Sequence, residues 1–206
     1  MYRFVQKTKN KMKKNVGILI FDEAEVLDFA GPFEVFSVTS ELNNFELFNV
    51  FIVAKDMRPV SAVNGLSVNP KYNFENSPSI DILIISGGAG SREQMQDTET
   101  LNWIEKVHLN TQFTISICSG SRLLGALGLL DEQPYCTHKE VYEHLQEIVP
   151  TGFPKKSERF VNFDKIYTSG GISTGIDLSF HIVEKLHGKE IANRTAAYME
   201  YDINYN

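Results

Sequence analysis

The stretch TISICSGSRLLGALGLL runs an apolar, β-type segment straight into Cys118 and then into a helical pattern carrying Gly120, Gly125 and Gly128. A strand that turns sharply into a helix at a nucleophile presents that side chain at the carboxyl edge of a sheet. The small residues Ser119 and Gly120 are what so crowded a turn requires. The positive end of the following helix would stabilise a thiolate and lower the thiol pKa. The competing reading is a buried cysteine that packs as a small hydrophobe.

Other segments should end at the same edge, because ligands of open α/β folds bind beyond the carboxyl ends of the strands. FDEAEVLDFAGPFEVF offers Asp22, Glu23, Glu25, Asp28 and Glu34, of which Asp28 stands among Leu27, Phe29, Ala30 and Gly31. An acid in apolar company tends to stay protonated and can then donate a hydrogen bond or a proton. Asp28 is equally suited to capping a helix that enters at Gly31-Pro32, and both roles can coexist. SGGAGSRE supplies Gly87, Gly88 and Gly90, whose N–H groups could form an oxyanion hole or simply a tight turn. It has neither the Lys-Ser/Thr ending of a P-loop nor GxGxxG spacing, so nucleotide binding is not expected. TSGGISTGID brings Gly170, Gly171 and Gly175 before a long helix, to shape a pocket wall or to cap with Thr174. His138, in CTHKEVYEHL, is either an auxiliary base near the elbow or a solvated helix-start residue. His144 and His181 read as helix surface or core residues. No HExxH, CxxC or clustered His/Asp set is present, so neither a metal nor a cofactor is expected.

To position these groups the chain alternates β-type runs with helical stretches, the pattern of a mostly parallel sheet covered by helices on both faces. Val16–Phe21, Leu47–Ala54, Ile80–Ser86 and Phe113–Ile117 are near-continuous apolar runs, as expected of strands buried on both faces. Helices are predicted from Gly31-Pro32 to about Leu42, from Asp97 to about Leu109, across TGIDLSFHIVEKLH up to Gly188, and from Lys189 to about Glu200. Two hairpins are expected to decorate this core, one turning at Asn64-Gly65 and one joining RFVNF to KIYTS around Asp164.

The 206 residues, 42% hydrophobic and 22% charged, suit one globular domain, and no apolar run approaches the roughly 18 residues of a membrane span. Residues 1–15 carry six Lys/Arg and no acid, which leaves −12 on the remainder. So acidic a body argues against nucleic-acid binding, and only the basic arm could meet phosphate. That arm has no apolar h-region and no small-residue cleavage site, so it reads as a disordered lead-in and not a secretory signal. Met12 stands as an alternative start. Two cysteines are too few for a disulfide framework, which points to the cytoplasm.

Taken in order, VGILIFDEAEVLDFAGPFEVF, DILIISGGAG, ICSGSRLLGALGLLDEQPYCTHK and TSGGISTGIDLSFHIVEKL resemble the ThiJ/PfpI superfamily of the class I glutamine amidotransferase-like fold, and within it the isonitrile hydratase group. The likeness covers roughly residues 16–201. It implies a flavodoxin-like three-layer α/β sandwich, commonly homodimeric. It places the family nucleophile on Cys118, the acid of the Leu-Asp-x-x-Gly-Pro pattern on Asp28, and the oxyanion contacts on the Gly88 and Ser119 backbones; Gly87 and Gly171, from the two glycine clusters, are read as further oxyanion or pocket residues. His138 matches a recurrent histidine of the Thr-His segment. Two departures bear on activity. Protease-like members carry His directly after the nucleophile, where this chain has Ser119, and the hydratase's Cys-Thr-Gly is Cys-Ser-Gly here.

Three readings follow. In the first, Cys118 attacks an isonitrile or similar small electrophile and Asp28 supplies the proton. In the second, the same nucleophile serves an amidase, peptidase or glyoxalase-like reaction. In the third, the chain is a ligand- or oxidation-sensing domain like the sensor half of AraC-type regulators. No helix-turn-helix pair follows within these 206 residues, so DNA reading of that kind is not expected.

Overall fold

The computed structural model describes residues 13–205. The basic segment 1–12, Met12 included, lies outside the described residues. Seven strands build one sheet: β1 (Lys14–Leu19), β2 (Phe48–Ala54), β3 (Tyr72–Asn73), β4 (Ile82–Ile85), β5 (Phe113–Ser116), β6 (Phe160–Phe163) and β7 (Ile166–Ser169). Their order is β6-β7-β5-β4-β1-β2-β3, parallel throughout except for β6 against β7. Ile18, Ile82, Ile84 and Ile115 are 0 to 1% exposed, as strands covered on both faces require. The α/β sandwich expected from the sequence is therefore present. Among the described residues, no helix is long and apolar enough to cross a membrane.

The helices are α1 (Val26–Glu41), α2 (Thr98–Asn110), α3 (Ser121–Ala126), α4 (Tyr142–Ile148), α5 (Thr174–His187) and α6 (Lys189–Tyr198), with a short turn of helix at Ser91–Gln94. Asp97 caps α2, accepting from the Glu99 and Thr100 N–H groups. Gly188, at φ 92°, separates α5 from α6. At the Asn64-Gly65 turn, the two residues adopt φ 62° and 82° between the paired segments Val60–Ser61 and Ser67–Val68.

Three expectations need correction. First, α1 does not begin at Gly31-Pro32: Pro32 lies in its second turn, where it forfeits only the one hydrogen bond to the Asp28 carbonyl. Close packing keeps the helix intact around it, since a Cβ on Gly31 would stand 2.7 Å from Ile176 Cγ1 of α5. Asp28 is thus inside the helix, and Glu25 occupies the cap position. Second, the hairpin at Asp164 is no decoration. It supplies β6 and β7, and β7 pairs with β5. Third, the first strand begins before Val16, because Lys14 and Asn15 already pair with β2.

The topology places the site. From β1 the chain moves to β2 and β3 on one side, then crosses to β4 and β5 on the other, so the crevice beyond β1 and β4 is the topological switch point. Asp28 follows β1, Gly87 follows β4 and Cys118 follows β5. The elbow seats directly on β4. The Ile117 N–H donates to the Ile85 carbonyl at 3.0 Å, and a Cβ on Gly120 would stand 2.5 Å from that same oxygen and 2.9 Å from the Ser86 carbonyl. Gly120→Ala is expected to destabilise the fold by about 1–3 kcal/mol through this overpacking. A lowered midpoint in urea, with the transition slope unchanged, checks it.

Candidate active site

Cys118 sits at φ 55°, in the left-handed region that a non-glycine residue occupies only when its surroundings hold it there. Those surroundings are specific. Its N–H donates to the Gly170 carbonyl at 3.1 Å. Its carbonyl accepts from Thr137 Oγ1 at 3.0 Å and Ser121 Oγ at 3.2 Å, and these two hydroxyls are 2.8 Å apart. Thr174 Oγ1 donates to the Gly170 carbonyl at 2.6 Å, so the α5 entry braces the far side of the elbow.

Asp28 is wholly buried and faces this elbow from α1. Its Oδ2 accepts the Gly87 N–H at 3.0 Å. A Cβ on Gly87 would meet Asp28 Oδ2 at 2.8 Å and the Ser119 nitrogen at 2.5 Å, so glycine is what lets the carboxyl and the elbow meet here. The Cys118 thiol interacts with the carboxyl as a hydrogen-bonding side chain, yet Oδ1 is left without a partner of regular geometry.

Burial pushes the Asp28 carboxyl up to about 7, against the lowering effect of the Gly87 N–H, and the charge of Glu25 adds to the rise. The Cys118 thiol is pushed up to about 12, first by burial and then by the Asp28 charge, while the Ser119 N–H and side chain oppose the rise. This reverses the lowered thiol pKa expected from a helix N-terminus. The helix after the elbow has only six residues, too little to outweigh the burial of the thiol and the carboxyl beside it. Near neutral pH the two acids therefore hold at most one negative charge between them, and thiol–carboxylate and thiolate–carboxylic acid are two arrangements of one protonation state.

The glycine loop is stitched to both partners. The Glu25 N–H donates to the Gly87 carbonyl at 3.0 Å, and Ala24 bridges Gly88. The Gly88 N–H is engaged by Ser119 Oγ at 2.9 Å, whereas the Ser119 N–H is directed at the Cys118 sulfur. Cys118, Asp28, Gly87, Gly88 and Ser119 thus come together. Gly171 and His138 stand to one side. A Cβ on Gly171 would strike the His138 ring at 2.1 Å, and His138 Nδ1 accepts the Glu140 N–H at 3.3 Å. Both line a cleft of about 380 Å³ with Thr137, Tyr142, Lys156 and Gly170. The larger cleft of about 610 Å³, at the ends of β1 and β2, includes neither Cys118 nor Asp28. Its cations are already paired, Lys55 with Asp97 and Glu99, and Arg58 with Asp56. Among the described residues no group of three or more His, Cys, Asp or Glu could hold a metal.

Ser91 and Arg122 were not singled out in the sequence, although a charged residue four positions after Cys118 in an otherwise apolar stretch was a usable signal. Arg122 Nη1 donates to Ser91 Oγ at 2.9 Å, and Ser91 Oγ lies 3.1 Å from Ser119 Oγ.

Residues 14–185 match the DJ-1/PfpI family. The chain is 31% identical over 191 residues to isonitrile hydratase from Pseudomonas putida, covering 92% of this chain and 79% of that protein. It is 25% identical over 195 residues to the HTH-type transcriptional regulator GbdR of Pseudomonas aeruginosa, covering 94% of this chain but 52% of the regulator, so it spans about half the regulator's length. A crystal structure of a ThiJ/PfpI family protein from Pseudomonas syringae aligns with a TM-score of 0.82 at 25% identity, covering 99% of this chain and 83% of that one.

A carboxyl whose pKa is raised by burial favours folding while it is protonated, and that contribution is lost as pH rises toward its folded value. A rise from the ordinary carboxylate range to about 7 corresponds to a cost on the order of 4 kcal/mol once Asp28 is ionised. Asp28→Asn, close to isosteric and uncharged, is expected to melt higher than the parent at pH 8, with the advantage shrinking as the pH is lowered to 5. Thermal unfolding at the two pH values checks this.

Proposed function

Because the chain belongs to the DJ-1/PfpI family, we propose that it is a cysteine-dependent enzyme that hydrates an isonitrile, or a small electrophile of like reactivity, through a covalent Cys118 intermediate. The observation that carries this reading is the pairing of a fully buried carboxyl, Asp28, with the thiol of a strained elbow residue. The identity to isonitrile hydratase over most of both chains supports the choice of substrate class.

The reactive form is the pair holding one proton. Cys118 Sγ attacks the terminal isonitrile carbon while the thiol proton passes to the Asp28 carboxylate. Asp28 then delivers that proton to the same carbon, so that carbon gains an S–C and an H–C bond and nitrogen retains a double bond to it. The product of this step is a thioimidate on Cys118. Water adds to the thioimidate carbon, the C–S bond breaks, and the sulfur electron pair recovers a proton within the pair. Nitrogen takes the remaining proton and an N-substituted formamide leaves, the net change being addition of one water. The Ser119 N–H, directed at the sulfur, favours negative charge there during both attack and departure. No hydrogen bond joins His138 to Cys118 among the described residues, so the scheme assigns it no proton transfer.

The likeness to GbdR favours a second reading, a ligand-sensing domain in which the Cys118 site binds without turnover. Product formation separates the two. Cys118→Ala is expected to bring isonitrile hydration down to the uncatalysed rate, and Asp28→Asn to lower it by about 10²–10⁴-fold. In the parent, kcat/KM should climb as the pH rises through about 7, because the productive state forms when the pair loses its first proton. A panel of aliphatic and aryl isonitriles that yields no Cys118-dependent formamide would reject the hydratase in favour of sensing.

A further inference from the structure

The helix that begins after the elbow carries a charge for which the scheme above has no use. Arg122, the second residue of α3, is 3% exposed. Its Nη1 donates to Ser91 Oγ at 2.9 Å and its Nε to His144 Nδ1 at 3.1 Å, and neither acceptor is an anion. Among the described residues no carboxylate lies within ion-pair distance of it, whereas Lys55, Arg58 and Arg159 each have one. A guanidinium stays charged at any physiological pH, and burying one without a compensating anion is unfavourable.

The Ser91 contact of Arg122 leads to the site. Ser91 Oγ, which accepts from the guanidinium, donates to the Gly88 carbonyl at 2.7 Å and lies 3.1 Å from Ser119 Oγ. Ser119 Oγ in turn holds the Gly88 N–H at 2.9 Å. The charged groups around the guanidinium come from several elements: Cys118 from the elbow, Arg92 from the short helix Ser91–Gln94 and His144 from α4. Beyond Cys118 stand Asp28 and Glu25. Burial and Arg92 disfavour the guanidinium's charge, and a negative Cys118 favours it. Burial and the two arginines lower the His144 pKa against the charge of Glu147, which favours the neutral ring whose Nδ1 accepts from Arg122. Glu147 of α4 acts on His144, and the negative charge that favours the guanidinium's own charge is that of the Cys118 site.

We propose that Arg122 is a positioning residue of the Cys118 site: it supplies the counter-charge for the one negative charge of the Cys118–Asp28 pair and, through Ser91, holds the Gly88–Ser119 wall against the sulfur. The inference rests on reading Cys118 and Asp28 as the reactive pair. It adds a role for a residue that touches no substrate.

The test is the pH dependence of Cys118 alkylation by iodoacetamide in the full chain, followed by peptide mass spectrometry that separates Cys118 from Cys136. Arg122→Gln should move the pH of half-maximal alkylation up by about one unit, so that alkylation on the rising limb is about tenfold slower at a given pH. Arg122→Lys keeps the charge and should stay close to the parent profile. A profile for Arg122→Gln that superimposes on the parent overturns the proposal, and so does an Arg122→Lys profile displaced as far as that of Arg122→Gln. If Arg122→Gln does not fold, Ser91→Ala carries the test. It leaves the charge in place but cuts the link, and alkylation should slow severalfold, an unchanged rate being the contradiction. Because alkylation needs no isonitrile, a chain that fails to hydrate isonitriles but shows the Arg122 shift would reject the hydratase reading and leave this one standing.

Discussion

Asp28 has no exposed surface and, among the described residues, one regular hydrogen-bond donor, the Gly87 N–H, so its negative charge is poorly solvated where it stands. Placing a thiol beside it makes the shortage worse, because two anions so close and so buried cannot coexist near neutral pH. One charge and one proton are therefore left to be shared, and much of the surrounding architecture is arranged about that constraint. Gly87 lacks a Cβ where the carboxyl and the elbow meet. Gly88 and Ser119 lock the loop to the turn. Thr137, Ser121 and Gly170 hold Cys118 in a backbone conformation that its side chain would not choose alone. A fold that places three strand ends side by side at a switch point is what lets residues 28, 87 and 118 converge at all.

The elbow and the four central strands were legible because their signals are local. A continuous apolar run means a strand covered on both faces, and a cysteine between such a run and a Ser-Gly pair means a turn with no room for larger residues. The placement of Asp28 was only half legible. Gly31-Pro32 is a sound start signal, but the packing of Gly31 against Ile176 overrides it and extends α1 backwards, which moves Asp28 from the cap into the helix. Residues 160–169 announce a hairpin but not its place in the sheet, since pairing with β5 is a long-range choice that they do not carry locally.

The electrostatics were the least readable. A helix N-terminus argues for a thiolate, and the sequence does show a helix after Cys118. What reverses the direction is near-complete burial together with a carboxyl ninety residues away in the chain, neither of which any local pattern carries. Arg122 illustrates the same limit. A charge four positions after Cys118 is visible in the sequence, but only the burial of its guanidinium among neutral partners gives it a part in the site.

The central claim is that Asp28 is a carboxylic acid at mildly acidic pH and gives up its proton near neutrality, where the pair becomes reactive. Infrared difference spectra of protein labelled with ¹³C at the aspartate side-chain carboxyl, with Asp28→Asn as the subtraction, report that proton directly. A protonated-carboxyl band, absent from Asp28→Asn, is expected to persist at pH 5 and to disappear with a midpoint near 7. A band already lost by pH 5 would mean that Asp28 ionises like a solvated carboxylate, and the shared-proton pair would have to be abandoned.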